Sequence, residues 1–146
     1  MKKADPAHAQ QYEQNAARYL AQIDAIDARL QSAATAVASV PTVLMHDSLA
    51  YLAEDLSLSV AAALNLGEEN TVSAATVSEA EDALKGVPFA LFLCDSQYSQ
   101  QDYADLQALP ERSAVITVDT CVTGDGAADH WITAMTALCE AWEDGI

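Results

Sequence analysis

Phe89-Ala90-Leu91-Phe92-Leu93-Cys94-Asp95 carries the clearest strand signal in the chain. The first five residues of this stretch are apolar in succession, where a strand wetted on one side would alternate. Such a run reads as a strand covered by helices on both faces, and it ends in a thiol and a carboxylate. Downstream, a helix is expected over 99–109, ended by Pro110, and then Ala114-Val115-Ile116-Thr117-Val118 reads as a strand rich in β-branched residues. Upstream, Gly86 and Pro88 stop a helix over 76–85, which follows a loop over 67–72. Residues 59–64 read as a strand weakened by its alanines. Residues 48–56 read as a helix with Leu49, Leu52, Ala53 and Leu56 on one face, and Thr42-Val43-Leu44-Met45 reads as a buried strand. At the far end, Gly124-Asp125-Gly126 leads into a helix carrying Trp131, Met135, Leu138 and Trp142 on one face.

The chain opens differently. Asp5-Pro6 reads as an N-cap with proline in the first turn. Tyr12, Ala16, Tyr19, Ile23, Ile26, Leu30, Ala33 and Val37 then recur at steps of three and four, with Glu13, Gln14, Arg18, Asp24 and Arg29 opposite. This helix should end before Pro41, and its length predicts that it runs along the whole domain. The expected fold is therefore α/β: a three-layer α/β/α body over 42–146 with a four-stranded parallel sheet and right-handed crossovers, preceded by a long helix over 6–39. The 146 residues suit a single domain.

Composition narrows the partners. There are 22 acidic and 6 basic residues, giving a formal net charge of −16. Beyond Arg29 only Lys85 and Arg112 are basic, so nucleic acid is not expected as a partner, because phosphate binding works through Lys and Arg. An anionic membrane surface is disfavoured for the same reason. Cations are favoured, although bulk charge alone reads as solubility. No run reaches the about 18–20 apolar residues that span a bilayer. Met1-Lys2-Lys3 is followed at once by polar residues, so no signal peptide is read. The chain is expected to be cytoplasmic or a piece of a longer secreted protein. The three cysteines, Cys94, Cys121 and Cys139, form no CxxC pair, and pattern alone leaves open whether two of them bridge.

In parallel α/β sheets ligands bind beyond the carboxyl ends of the strands. There the chain places Met45-His46-Asp47, Leu93-Cys94-Asp95 and Val118-Asp119-Thr120-Cys121, with Gly67-Glu68-Glu69 after the second strand. His46 reads equally as a metal ligand or general base and as a buried histidine bonded to the backbone. Asp47 reads first as the cap of the next helix, and Asp119 and Asp95 have turn-forming alternatives. Cys94 as a nucleophile with His46 as its base is disfavoured, because Asp95 raises a neighbouring thiol pKa and no basic group stands by. No GxSxG, P-loop or GxGxxG occurs. His8 and His130 read as exposed residues at helix starts.

Several segments together resemble a known family. Asp5-Pro6 with Tyr12, Asn15 and Tyr19 resembles the helix joining the lobes of the zinc- and manganese-binding solute-binding proteins of ABC transporters. His46-Asp47-Ser48-Leu49-Ala50-Tyr51-Leu52 is similar to that family's His-Asp-Ala-Phe-Gly-Tyr-Phe segment, and Asp95-Ser96-Gln97-Tyr98-Ser99 to its Glu-X-Gln-Phe-Ser stretch. Val118-Asp119, Gly124, Asp129 and Met135 resemble its closing segment. The resemblance implies a C-terminal lobe in which His46 and Asp119 ligate the metal, with Asp95 and Asp47 as outer carboxylates. It implies Zn²⁺ or Mn²⁺ as the bound ion, held weakly by this lobe alone, and an ABC permease as partner. It also implies an extracytoplasmic setting, periplasmic or as a cell-surface lipoprotein. The family's N-terminal lobe, which supplies two further histidines, is not matched by these residues, so half a site is expected and the isolated lobe could homodimerise. Asp95 replaces the more usual Glu, and His130 stands where the family usually has Tyr. The reading is a binding module rather than an enzyme. The alternatives are an interaction domain of the same fold without metal, and a small hydrolase using His46 and Asp95.

Overall fold

The computed structural model describes residues 1–64, 74–97 and 107–145. A single 3-10 turn, Pro6–His8, leads into α1 (Ala9–Val37). There follow β1 (Pro41–Leu44), a 3-10 turn (Asp47–Leu49), α2 (Ala50–Asp55), β2 (Ser59–Ala63), α3 (Ala74–Leu84), β3 (Phe89–Asp95), β4 (Arg112–Val118) and α4 (His130–Gly145). The loop expected over 67–72 lies outside the described residues, as does nearly all of the helix expected over 99–109.

The four strands pair in the order β2-β1-β3-β4, all parallel, as expected from β3. Alternation along β3 divides the interior. Leu91 and Leu93 face a core shared with α1, α2 and α4, where Trp142, Leu138 and Ile116 lie. Ala90, Phe92 and Cys94 face a second core closed by Ala80 and Leu84 of α3. This is the three-layer arrangement, with the reversal of strand order between β1 and β3. The division also resolves the cysteines. Cys94 and Cys139 belong to opposite cores, so the sheet separates them, and all three thiols are free.

Three expectations need correction. The strands are not uniformly apolar on both faces. β4 is an edge strand in which Ala114, Ile116 and Val118 are buried while Val115 is 37% exposed, because an edge strand is only partly roofed. Nor does α1 lie along the whole domain. Its 29 residues span about 43 Å, yet its buried residues begin only at Ile26. Tyr12, Tyr19 and Ile23 are half-buried, and Leu20 is 57% exposed. The second half of α1 packs on α4, where Arg29 donates through Nε and Nη2 to the two oxygens of Glu143 at 3.1 and 2.9 Å. Finally, Asp5 stands at the N-cap with Pro6 in the first turn, as expected, but its side chain makes no cap hydrogen bond. Its Oδ2 instead accepts from Tyr12 Oη at 2.9 Å and meets His8 Nδ1 at 2.8 Å. His8 foremost, and then Tyr12, hold the Asp5 carboxyl below its ordinary value. No helix among the described residues is long and apolar enough to cross a membrane.

Candidate metal centre

The backbone ladder runs to the rim of the sheet and fixes what stands there. Met45 N–H donates to Leu93 O at 2.9 Å, and Ser96 N–H donates to Val118 O at 2.8 Å. His46, Asp95 and Asp119 therefore follow directly on paired backbone at the carboxyl ends of β1, β3 and β4. Asp95 sits between the other two and is 3% exposed. Its Oδ1 accepts from Gln97 N–H at 3.0 Å, and its Oδ2 accepts from Ser48 Oγ at 3.2 Å and Thr120 Oγ1 at 3.1 Å. Gln97 Nε2 donates in turn to Thr120 Oγ1 at 2.9 Å. One buried carboxylate thus ties the loop after β1 to the loop after β4. It is bonded from both sides, which suits a structural tie and not an acid or base in a hydrolase.

His46, not Asp47, caps the turn that follows β1. Its Nδ1 accepts from Ser48 N–H at 3.1 Å. Asp47 Oδ1 lies 3.2 Å from the same Nδ1, on a side chain that is 62% exposed against 18% for His46. The imidazole takes this role because His46, extended at φ −155 and ψ 146, occupies the cap position, whereas Asp47 is already the first residue of the turn.

Asp119 belongs to a tighter group. Its Oδ1 accepts from Cys121 N–H at 2.8 Å, and its Oδ2 lies 3.5 Å from His130 Nε2. One ligand atom each from Asp119, Cys121 and His130 falls within 4.8 Å of the others, the group of this kind found among the described residues. His130 Nδ1 faces Asp125 Oδ1 at 3.3 Å. The Ala127 N–H foremost, with His130 adding, holds the Asp125 carboxyl below its ordinary value. Burial foremost, then the Asp119 charge, raises the Cys121 thiol. A surface cleft of about 460 Å³ between the sheet rim and α4 is lined by Ser96, Asp119, Asp125, His130 and Thr133, among others.

The expectation that His130 is an exposed helix-start residue is therefore corrected. Its side chain is 21% exposed and turned onto Asp119 and Asp125. Sequence reading missed both Cys121 and His130 as partners of Asp119. The available signal was Asp119-Thr120-Cys121 followed by a glycine-punctuated loop and then a histidine, three ligand types that one turn can fold together. In that loop Gly126 has φ +85, which favours glycine. His46 lies outside the group. β3 stands between β1 and β4, so their axes are about 10 Å apart at ordinary strand spacing. Cys94 is no nucleophile: burial pushes its thiol up to about 11.

A family model described as zinc-uptake complex component A, periplasmic, matches residues 1–145. The chain belongs to this family. Zinc-uptake component A proteins are solute-binding components of transport systems and not enzymes. Among curated relatives, the high-affinity zinc uptake system protein ZnuA of Brucella abortus is 25% identical over 96 residues, covering 66% of this chain and 29% of that protein. ZnuA of Paracoccus denitrificans is 34% identical over 84 residues, covering 58% of this chain and 26% of its own. A crystal structure of ZnuA superposes with a TM-score of 0.68 at 22% identity, covering 99% of this chain and 53% of that one. FpvC of Pseudomonas aeruginosa, in complex with Ni²⁺, superposes with a TM-score of 0.69 at 19% identity, covering 98% and 55%. The chain thus spans under a third of the length of these curated relatives and about half of these solved structures. At such identities the structural likeness establishes the fold, which is that of metal-binding solute-binding proteins.

Proposed function

We propose that residues 1–146 form one domain acting as the C-terminal lobe of an extracytoplasmic metal receptor, which captures Zn²⁺ or Mn²⁺ and passes it to an ABC permease. In this reading His46 and Asp119 are the lobe's ligands to the cargo ion, and a second lobe completes the coordination. The carrying observation is the Asp95 tie. Ser48 and Thr120 meet on one carboxylate oxygen, which sets the loops bearing His46 and Asp119 in one frame.

The chemistry of His46 fits the role with one adjustment. A metal on Nε2 requires the ring proton on Nδ1, which then donates rather than accepts. Asp47 Oδ1, 3.2 Å away, is placed to take that proton's hydrogen bond in exchange for the Ser48 contact. A carboxylate behind a ligating imidazole fixes its tautomer and raises its basicity. Asp47 thereby holds the outer role, and Asp95 the role of frame. An imidazole in the set favours zinc over manganese, which prefers hard oxygen ligands.

The first half of α1 suits the same reading. Tyr12, Tyr19, Leu20 and Ile23 lie half-buried or exposed along it, as expected of a helix whose other end packs on a second lobe. Without that lobe the stripe is expected to drive self-association, checked by sedimentation velocity against a Leu20→Lys variant. The metal role is tested by calorimetric titration of zinc and manganese into a two-lobed receptor containing this chain, with His46→Ala and Asp119→Ala beside it. Loss of zinc affinity in both variants is the expected result. Unchanged affinity in both would overturn the assignment of His46 and Asp119 as ligands to the cargo ion.

A further inference from the structure

We propose that Asp119, Cys121 and His130 form a three-ligand site of their own for a thiophilic divalent cation, zinc foremost, which this lobe binds without a second lobe. The proposal shares Asp119 with the reading above and otherwise stands apart from it. It rests first on the separation of His130 Nε2 and Asp119 Oδ2. At 3.5 Å these atoms are too far apart for a good hydrogen bond, and Nε2 is shielded from solvent with no hydrogen-bond partner. Two ligands of a tetrahedral zinc ion, with bonds of ~2.0–2.3 Å, stand ~3.3–3.8 Å apart. The pair is already at ligand spacing, and a buried imidazole nitrogen without a partner is costly unless something occupies that position.

The second observation is the orientation of the ring. Asp125 Oδ1 faces Nδ1 at 3.3 Å, where it can hold the ring proton once a metal takes Nε2, the nitrogen turned to Asp119. A carboxylate, a histidine and a metal in line is the arrangement that fixes a zinc-bound imidazole. The third is Cys121, whose sulfur completes a group spanning no more than 4.8 Å. Closing that group onto an ion takes about 1 Å of side-chain movement. Sγ at present points to the Asp119 carbonyl at 3.5 Å, a weak contact that a metal bond replaces. On binding, the thiol loses its proton to solvent and the thiolate enters the coordination shell. The fourth position, open to the cleft, is left to water. Nitrogen, sulfur and carboxylate oxygen together suit zinc or cobalt and disfavour manganese.

The experiment titrates Zn²⁺ by calorimetry in two buffers of different ionisation enthalpy, and Co²⁺ by absorption, into this chain under reducing conditions. Cys121→Ser, His130→Gln, Asp125→Asn and His46→Ala are run alongside, each checked by circular dichroism for an unchanged fold. Saturable zinc binding with proton release and a near-ultraviolet thiolate-to-cobalt band is expected. Cys121→Ser abolishes the band, and each of Cys121→Ser, His130→Gln and Asp125→Asn weakens zinc by about tenfold or more, while His46→Ala leaves binding unchanged. Binding that depends on His46 but not on Cys121 or His130 would overturn this inference and leave the receptor reading standing. No saturable binding by the unsubstituted chain at millimolar zinc would also overturn it, since the site is claimed to need no second lobe. That result leaves untouched the reading in which a second lobe completes the site.

Discussion

At the residue scale the rim of the sheet is governed by which polar atoms already have partners. Asp95 is enclosed and accepts from three donors on three segments. Asp95→Asn keeps its shape but turns an amide N–H₂ toward at least one of those donors. Leaving a buried group mismatched costs about 1–3 kcal/mol. Urea unfolding of the variant should show that loss, with the slope against urea unchanged. The thiols give a second prediction. Cys94 and Cys139 are buried and Cys121 is half-exposed, and burial raises all three, Cys94 to about 11. Since the thiolate is the reacting form, an aromatic disulfide reagent should modify Cys121 first in the native protein. The other two should react at the rate of unfolding, which mass mapping of the labelled peptides would show.

At the element scale α1 is two helices in energetic terms, though one in geometry. From Ile26 onward it buries Leu30, Ala34 and Val37 against α4 and the sheet. Before that its apolar residues meet little within the described chain. Leu30, 6% exposed, and Leu20, 57% exposed, form a controlled pair. Leu30→Ala is expected to lower unfolding stability by about 2–5 kcal/mol through lost burial and a cavity. Leu20→Ala should change it by less than about 0.5 kcal/mol. Equal losses in the two variants would mean that the first half of α1 is covered within this chain. In α4, Met135, Leu138, Cys139 and Trp142 are buried, whereas Trp131 in the first turn is 37% exposed. Periodicity places Trp131 on the same face but cannot report that the first turn stands at the rim of the sheet.

At the scale of the whole molecule charge dominates. A net charge of −16 repels itself in the compact state. Added salt at pH 7 shortens the Debye length to about 10 Å at 0.1 M and below that at higher salt, so the melting temperature should rise with sodium chloride. Acid acts in the opposite direction at its lower end. Asp5, Asp125 and Glu143 have carboxyls held below their ordinary values of 3.8, 3.8 and 4.5, by His8, by the Ala127 N–H and by Arg29 respectively. A carboxyl with a depressed folded pKa stabilises fully above its unfolded value and loses that contribution as pH falls through the folded one. Melting temperature should therefore fall below about pH 4. The fall should be smaller in a variant carrying Asp5→Asn and Glu143→Gln, measured by calorimetry across pH 3–7.

The parallel sheet was legible in the sequence, because a short unbroken apolar run such as Phe89 to Leu93, preceded by Gly86 and Pro88, reads as a strand roofed on both sides. So were the residues that reach the sheet's carboxyl rim, since strand ends are marked by the change from apolar to polar. What those rim residues bond to was not legible there, because it depends on contacts between distant segments. That Asp95 joins Ser48 to Thr120 depends on strand order, and order is invisible to local pattern. Burial of α1 only from Ile26 on depends on where α4 lies. The turning of His130 onto Asp119 and Asp125 depends on how the loop through Gly126 folds back over β4. Periodicity reports the faces of an element, whereas a site is made where the ends of different elements meet.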